Sequence, residues 1–149
     1  EEVRKLRRIA LVGEAGAPEH AAYPLGTMLS RLIVTQGQHN AGVEYARLYA
    51  RYTGKYRECG IEPEAAGEPS EEAQAAIEAK YRAVRAALMA AGRRAADAVD
   101  NVAVYGRFPR WLGAASQNAG RRMADDRERA ALIAGLDALV AVLIGKQAA

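Results

Sequence analysis

An all-α fold is predicted, on three observations. Half of the 149 residues are apolar, but alanine supplies much of that fraction, and the aromatics are only seven Tyr, one Trp and one Phe. Such a mixture suits helices that approach closely, not a sheet rich in Val, Thr and aromatics. Tyr45, Tyr49, Tyr52 and Tyr56 recur at steps of four, three and four, one face of a helix at about 100° per residue. Ala73, Ile77, Tyr81, Val84, Leu88, Ala91, Ala95, Ala98 and Val102 step by three or four in the same way. The expectation is a helical bundle with two long helices, about 36–58 and 71–104, a C-terminal helix at about 125–144 and short N-terminal helices. At this length one domain spanning 1–149 removes about 70% of its unfolded surface from water.

Taken in order, Glu1 to Val12 reads as a short helix with Val3, Leu6 and Ile9 on one side and Arg4, Lys5, Arg7 and Arg8 around the other. Gly13 to Pro18 is a glycine-rich loop without the Gly-Lys-Ser/Thr that would hold phosphate and magnesium. Pro24 to Val34 is a second short helix, Pro24 suiting its first turn. Thr35 then caps the long helix, with Gln38 three residues on to complete a capping box. Helix, turn and capped helix is also the outline of a helix-turn-helix, which any αα-corner shares. Opposite the tyrosines, Arg47, Arg51 and Lys55 form a basic ridge.

The segment at about 59–70, with its two prolines, two glycines and three glutamates between Gly60 and Pro69, reads as a mobile linker. Ser70 with Glu71 and Glu72 opens the next helix, in which Gly92 is a place to bend or divide. Gly106 ends it in a left-handed cap. An irregular basic segment, about 105–124, follows; Phe108, Trp111 and Leu112 are expected to plug the end of the bundle with Arg107 and Arg110 outward. Asp125 or Asp126 starts the last helix, and Gly145 terminates it.

Charge is uneven. Residues 1–60 carry nine basic and six acidic side chains, 61–100 five and eight, and 101–149 seven and four, for a net charge of +3. Two basic ends around an acidic middle fit an anionic partner such as DNA. A lone Cys59 excludes an internal disulfide, and with only His20 and His39 there is no zinc spacing; a cytoplasmic location is the simplest expectation. No apolar run is long enough to cross a bilayer, since Gly135 and Asp137 interrupt Leu132 to Ile144. The chain opens on Glu1-Glu2 with no initiator methionine, as a trimmed chain would.

Neither histidine stands in a nucleophile-base motif, and Ser30, Ser70 and Ser116 lie in no elbow, so no catalytic residue, cofactor or metal is expected. Asp97 and Asp100, on a helix that also carries Arg93 and Arg94, read as surface ion pairs. The tyrosines at 45, 49, 52 and 56 could stack unpaired bases. The plainer reading, favoured here, buries them in the core or a subunit interface with hydroxyls at its wet edge. Arg107, Arg110, Arg121, Arg122, Arg127 and Arg129 crowd into 23 residues. They read either as phosphate contacts or as a solvated rim offset by Asp125, Asp126 and Glu128.

Two passages, LGTMLSRLIVTQGQHNAGVEYARLY and AVDNVAVYGRFPRWL followed by LIAGLDALVAVL, resemble a group of uncharacterised helical proteins encoded in phages and prophages. The likeness covers about half the chain, on Thr35, Gln38, Ala41, Gly42 and Tyr45, then Tyr105, Gly106, Pro109, Trp111 and Leu112, then Gly135 to Leu139. Here the longer segment Gly113 to Ala124 precedes the closing helix, where the group has a compact turn. Some of the group look like helix-turn-helix proteins. The resemblance implies a non-enzymatic DNA-binding or DNA-handling protein, either a transcriptional regulator or a small-terminase-like packaging adaptor. Double-stranded DNA would be its partner and a homo-oligomer its form; the likeness rests on packing residues, and it is the charge distribution that points to phosphate contacts from the nine basic positions named above. The alternative is a helical protein-interaction module, an inhibitor or assembly adaptor, that binds no nucleic acid.

Overall fold

The computed structural model describes residues 23–63, 67–113 and 118–145; the expected helix at Glu1 to Val12 and the loop at Gly13 to Pro18 lie outside them. Among the described residues the fold is an all-α bundle. Its elements are α1 (Pro24–Ser30), α2 (Gln36–Thr53), α3 (Glu71–Ala90), α4 (Arg93–Val99, continued by a π-helical turn Asp100–Val104) and α5 (Ala119–Leu139, continued by a π-helical turn Val140–Ile144). A 3-10 turn, Arg110–Leu112, lies in the crossing from α4 to α5. None of these helices is long and apolar enough to cross a membrane.

Local chemistry starts α1, α2 and α3 where expected. Pro24 occupies the first turn of α1, which buries Leu25, Met28 and Leu29. The capping box is present: the Thr35 hydroxyl accepts from the Gln38 N–H at 3.1 Å, and the Thr35 N–H donates to Gln38 Oε1 at 2.9 Å. Gln38 then donates from Nε2 to Asp137 at 2.7 Å, tying the start of α2 to α5. Ser70 caps α3 through the Ala73 N–H.

Four helix boundaries correct the sequence reading. α2 ends at Thr53, not near 58, because Gly54 takes the left-handed conformation (φ 74°) and its N–H closes on Ala50 O. The expected 71–104 helix is two: Gly92, at φ 122° and ψ 146°, cannot be helical, so α3 stops and α4 restarts beyond it. The apolar stepping survives the break because both pieces line one core. α5 begins at Ala119, six residues before Asp125, where the Asn118 side chain accepts from the Arg121 N–H at 3.2 Å. Likewise α1 is shorter than 24–34, ending at Ser30.

The core is made of thin helices packed closely. Leu88, Val99, Val104, Leu132, Leu136 and Leu139 are fully buried among Ala41, Ala46, Ala50 and Ala96. Gly42 lets α2 approach Leu25 and Leu136, and Gly135 lets α5 approach Ala95 and Val99 of α4. Over most of its length α3 is more exposed, burying only Val84 and Leu88.

Replacing Gly92 with alanine tests the break. Nothing lies within 4 Å of the added carbon, so the cost is purely that of holding a side-chain residue in a glycine backbone region, about 1–3 kcal/mol. A denaturant midpoint lowered by that amount with an unchanged slope is the expected result; an unchanged midpoint would mean that the α3–α4 corner relaxes freely.

Candidate nucleic-acid interface

The end of α4 and the return of the chain toward α5 build one concave edge. After the π turn, Tyr105 N–H bonds Asp100 O at 3.0 Å and Arg107 N–H bonds Asn101 O at 2.8 Å, with Gly106 at φ 63° between them. That left-handed glycine is the cap anticipated from sequence. Residues 107–109 run on to the 3-10 turn, where buried Leu112 anchors the segment and its carbonyl accepts from Arg31 Nη1 at 2.7 Å. Phe108 does not plug the bundle as expected: it is 54% exposed. The segment is held by Leu112 and by partly buried Trp111.

Between α4, this segment and the first half of α5 lies a cleft of about 670 Å³. Arg93, Arg94, Asp97 and Asn101 line it from α4, Arg107, Phe108, Pro109 and Trp111 from the segment, and Glu128 and Leu132 from α5. Arg129 places its guanidinium 5.7 Å from the centre of the Trp111 ring, and Arg107 lies 5.1 Å from that of Tyr105. The Arg107 Nη1 also donates to Asn101 Oδ1 at 2.7 Å. Arg110, at the lip, donates to Asp125 at 2.7 Å, and that contact holds its pKa above the usual value.

These contacts sort the nine basic positions predicted from sequence. Arg107 lines the cleft, while Arg110, paired with Asp125, and Arg129, over the Trp111 ring, stand beside it. Asp125, Glu128, Arg129 and Leu132 share the face of α5 turned to it, and exposed Arg121 and Arg122 lie one turn earlier on that face. Arg127 falls about 200° around α5 from Asp125, off this face. Arg47 pairs with Glu44 at 3.5 Å, and with Arg51 it lies opposite the tyrosines of α2. Lys55 follows the end of α2, so the expected ridge of three is cut short. Two further arginines join them. Arg93 and Arg94 are not partners of Asp100, which belongs to Arg85; they line the cleft. Their separation from Arg107 and Arg129 along the chain hid them, since only the α4–α5 packing unites them.

The tyrosine stripe is internal in character. Tyr45 is fully buried, its hydroxyl donating to Asp100 at 2.8 Å and accepting from Arg85 at 3.0 Å. Tyr49 meets Tyr81 and Tyr105 edge-on, its hydroxyl 3.1 Å from that of Tyr105. Tyr52 stacks on Tyr81 with centroids 4.2 Å apart, and Tyr56 packs against the core from the turn after α2. Only Tyr45 of the four is fully buried; Tyr49, Tyr52 and Tyr56 are partly buried and engaged by protein rings or the core.

Burial, then the Asp100 charge, pushes the Tyr45 hydroxyl well above its ordinary pKa. Tyr81 is raised mainly by burial, Tyr49 first by its bond to Tyr105. A raised folded-state pKa leaves stability intact below about pH 10, the unfolded tyrosine value. Above it the unfolded chain ionises first and stability falls, by up to about 1.4 kcal/mol per pH unit for one fully protected group. Denaturant titrations at pH 8, 10 and 11 should show this loss, and Tyr45→Phe should reduce it, leaving the share of Tyr49 and Tyr81.

No protein-family model, curated protein or solved structure matches this chain. Its chemistry is therefore read from the cleft and the charges beside it.

Proposed function

We propose that this protein is a non-enzymatic, phage-type DNA-handling protein that grips the duplex backbone through the arginine edge formed by α4, residues 105–113 and the first half of α5. One observation carries this: arginines distant in sequence, Arg93, Arg94 and Arg107, line one exposed concavity, and Arg110, paired with Asp125, and Arg129, over Trp111, stand beside it, with Arg121 and Arg122 one turn earlier on α5. Planar guanidiniums suit bidentate contact with phosphate oxygens, and such contacts position a protein without reading sequence. A small-terminase-like packaging adaptor or a regulator, acting as a homo-oligomer, uses such an edge.

Binding of a generic duplex, followed by fluorescence anisotropy at two salt concentrations, tests it. With about four phosphates engaged, log K falls against log salt with a slope near about −3.6, so affinity drops roughly a hundredfold between about 50 and 200 mM. Substituting Arg107, Arg110, Arg121 and Arg122 together should weaken all duplexes alike. Salt-independent binding, or none, removes the proposal. A second reading, a helical protein-interaction module, is favoured by Leu32, 88% exposed in a left-handed backbone at φ 59°, and by Met123, 66% exposed. It would show as absence of heparin retention together with a partner complex that Leu32→Ser abolishes.

A further inference from the structure

Guanidinium groups alone would make a phosphate-binding rim, but the cleft between α4 and α5 is more than a rim. Phe108 presents much of its ring to solvent at the mouth, Trp111 lines the wall, and Asp97 and Glu128 add two carboxylates. Duplex phosphates need neither exposed rings nor carboxylates. A single unstacked nucleotide has a use for all three: its phosphate for arginine, its base for an aromatic face, and its ring N–H or amino groups for a carboxylate. A volume of about 670 Å³ also falls in the range of small-ligand sites.

We infer that the cleft holds one unpaired nucleotide, with its phosphate on Arg93 and Arg94, its base against Phe108, and Trp111 beside it. This deepens the DNA-handling proposal and rests on the same arginine edge; the nucleotide is a free monophosphate or the end of a strand. Asp97 and Glu128 accept from the donor edge of the base. Arg107, bonded to Asn101 and set over Tyr105, is a fixed part of the wall. Arg129 against Trp111 keeps the indole in place.

Trp111 is the only tryptophan in the chain, so its emission reports on the cleft directly. The experiment titrates the full chain with an unstructured single-stranded oligonucleotide of mixed sequence, with deoxyguanosine monophosphate, whose base offers both a ring N–H and an amino group, with inorganic phosphate and with an aspartate-rich peptide, following that emission. Saturable change with the oligonucleotide, absent with phosphate and peptide, is the expected result. An equal response to the monophosphate identifies a free nucleotide as sufficient, and a response to the oligonucleotide alone identifies a strand end. Phe108→Ala should weaken binding between about fivefold and a hundredfold, the range of one base–aromatic stack. Arg93→Ala with Arg94→Ala should weaken it further and lessen its salt dependence. Both positions are exposed, so these variants should keep the fold, and far-ultraviolet circular dichroism checks that. No response to either nucleotide, an equal response to inorganic phosphate, or a response to the peptide alone overturns the inference. Duplex binding retained with no nucleotide response would sink the nucleotide site and leave the duplex grip standing. Nucleotide response without salt-dependent duplex binding would do the reverse.

Discussion

Replacing Asp100 with alanine should destabilise the protein by about 2–3 kcal/mol, which in a chain of this length lowers the melting temperature by about 4–12 °C. The carboxylate stands at the junction of three helices. It accepts from Arg85 of α3 at 2.8 and 3.1 Å and from the Tyr45 hydroxyl of α2 at 2.8 Å, while the chain of α4 turns into its π-helical end. The Arg85 and Asp100 side chains are 30% and 19% exposed, so most of their solvation has been exchanged for one another. Burial alone would lower the Arg85 pKa, yet the Tyr45 oxygen and the Asp100 carboxylate outweigh it and hold the guanidinium more firmly charged than usual. Removing Asp100 leaves that cation without its anion and Tyr45 without its acceptor. Breaking a fully buried pair costs about 3–5 kcal/mol, and partial exposure of Arg85 trims this because water reaches the orphaned group.

Asp100→Asn keeps an acceptor for both neighbours and should cost less than the alanine. Sharper still is the comparison with the triple variant Tyr45→Phe, Arg85→Leu, Asp100→Leu, which leaves no orphan and should be more stable than Asp100→Ala alone. Urea midpoints for the three proteins make the check. If Asp100→Ala falls within about 0.5 kcal/mol of the parent, the network does not join α2, α3 and α4 as argued.

What the sequence disclosed follows from the range of each interaction. The capping box at Thr35 and Gln38, the Ser70 cap and the left-handed Gly106 are settled within four residues, and all three were legible. The helix end at Gly54 is obscured, and Gly92 is legible only as a place to bend or divide, because hydrophobic stepping reports which side faces the core, and the core is continuous across both breaks. The Asn118 cap is hard to read locally because two aspartates further on carry a stronger helix-start signal. Partners of charged groups were the least legible. Asp100 lies beside Arg93 and Arg94 in sequence but reaches Arg85, and Arg93 and Arg94 instead join Arg107 in the cleft. Both outcomes depend on how α4 crosses its neighbours, which no local pattern encodes.

That crossing can be tested at Gly135, where the largest packing effect is expected. A Cβ there would stand 2.6 Å from Val99 Cγ2 and 3.0 Å from the Ala95 carbonyl oxygen. Neither can step aside cheaply: Val99 is β-branched and stiff in a helix, and the carbonyl is backbone. Gly42 is different, because its 2.6 Å neighbour is the tip of the Leu25 side chain, which has other rotamers. Alanine at 135 gains about 1 kcal/mol of helix propensity but forces α4 and α5 apart, for a net loss of about 1–2 kcal/mol. Valine adds two further carbons without the propensity gain and should cost about 3 kcal/mol or more. Gly42→Ala should cost less than Gly135→Ala, and equal costs would mean that the tight approach at Ala95 and Val99 is not what sets the helix spacing. The same separation carries to the cleft, since Ala98 and Val102 of α4 and Leu132 of α5 border it just beyond Gly135. Gly135→Ala should therefore shift the emission of Trp111 in the folded protein, whereas Gly42→Ala, on the far side of α5 against Leu25 and Leu136, should leave it where it was.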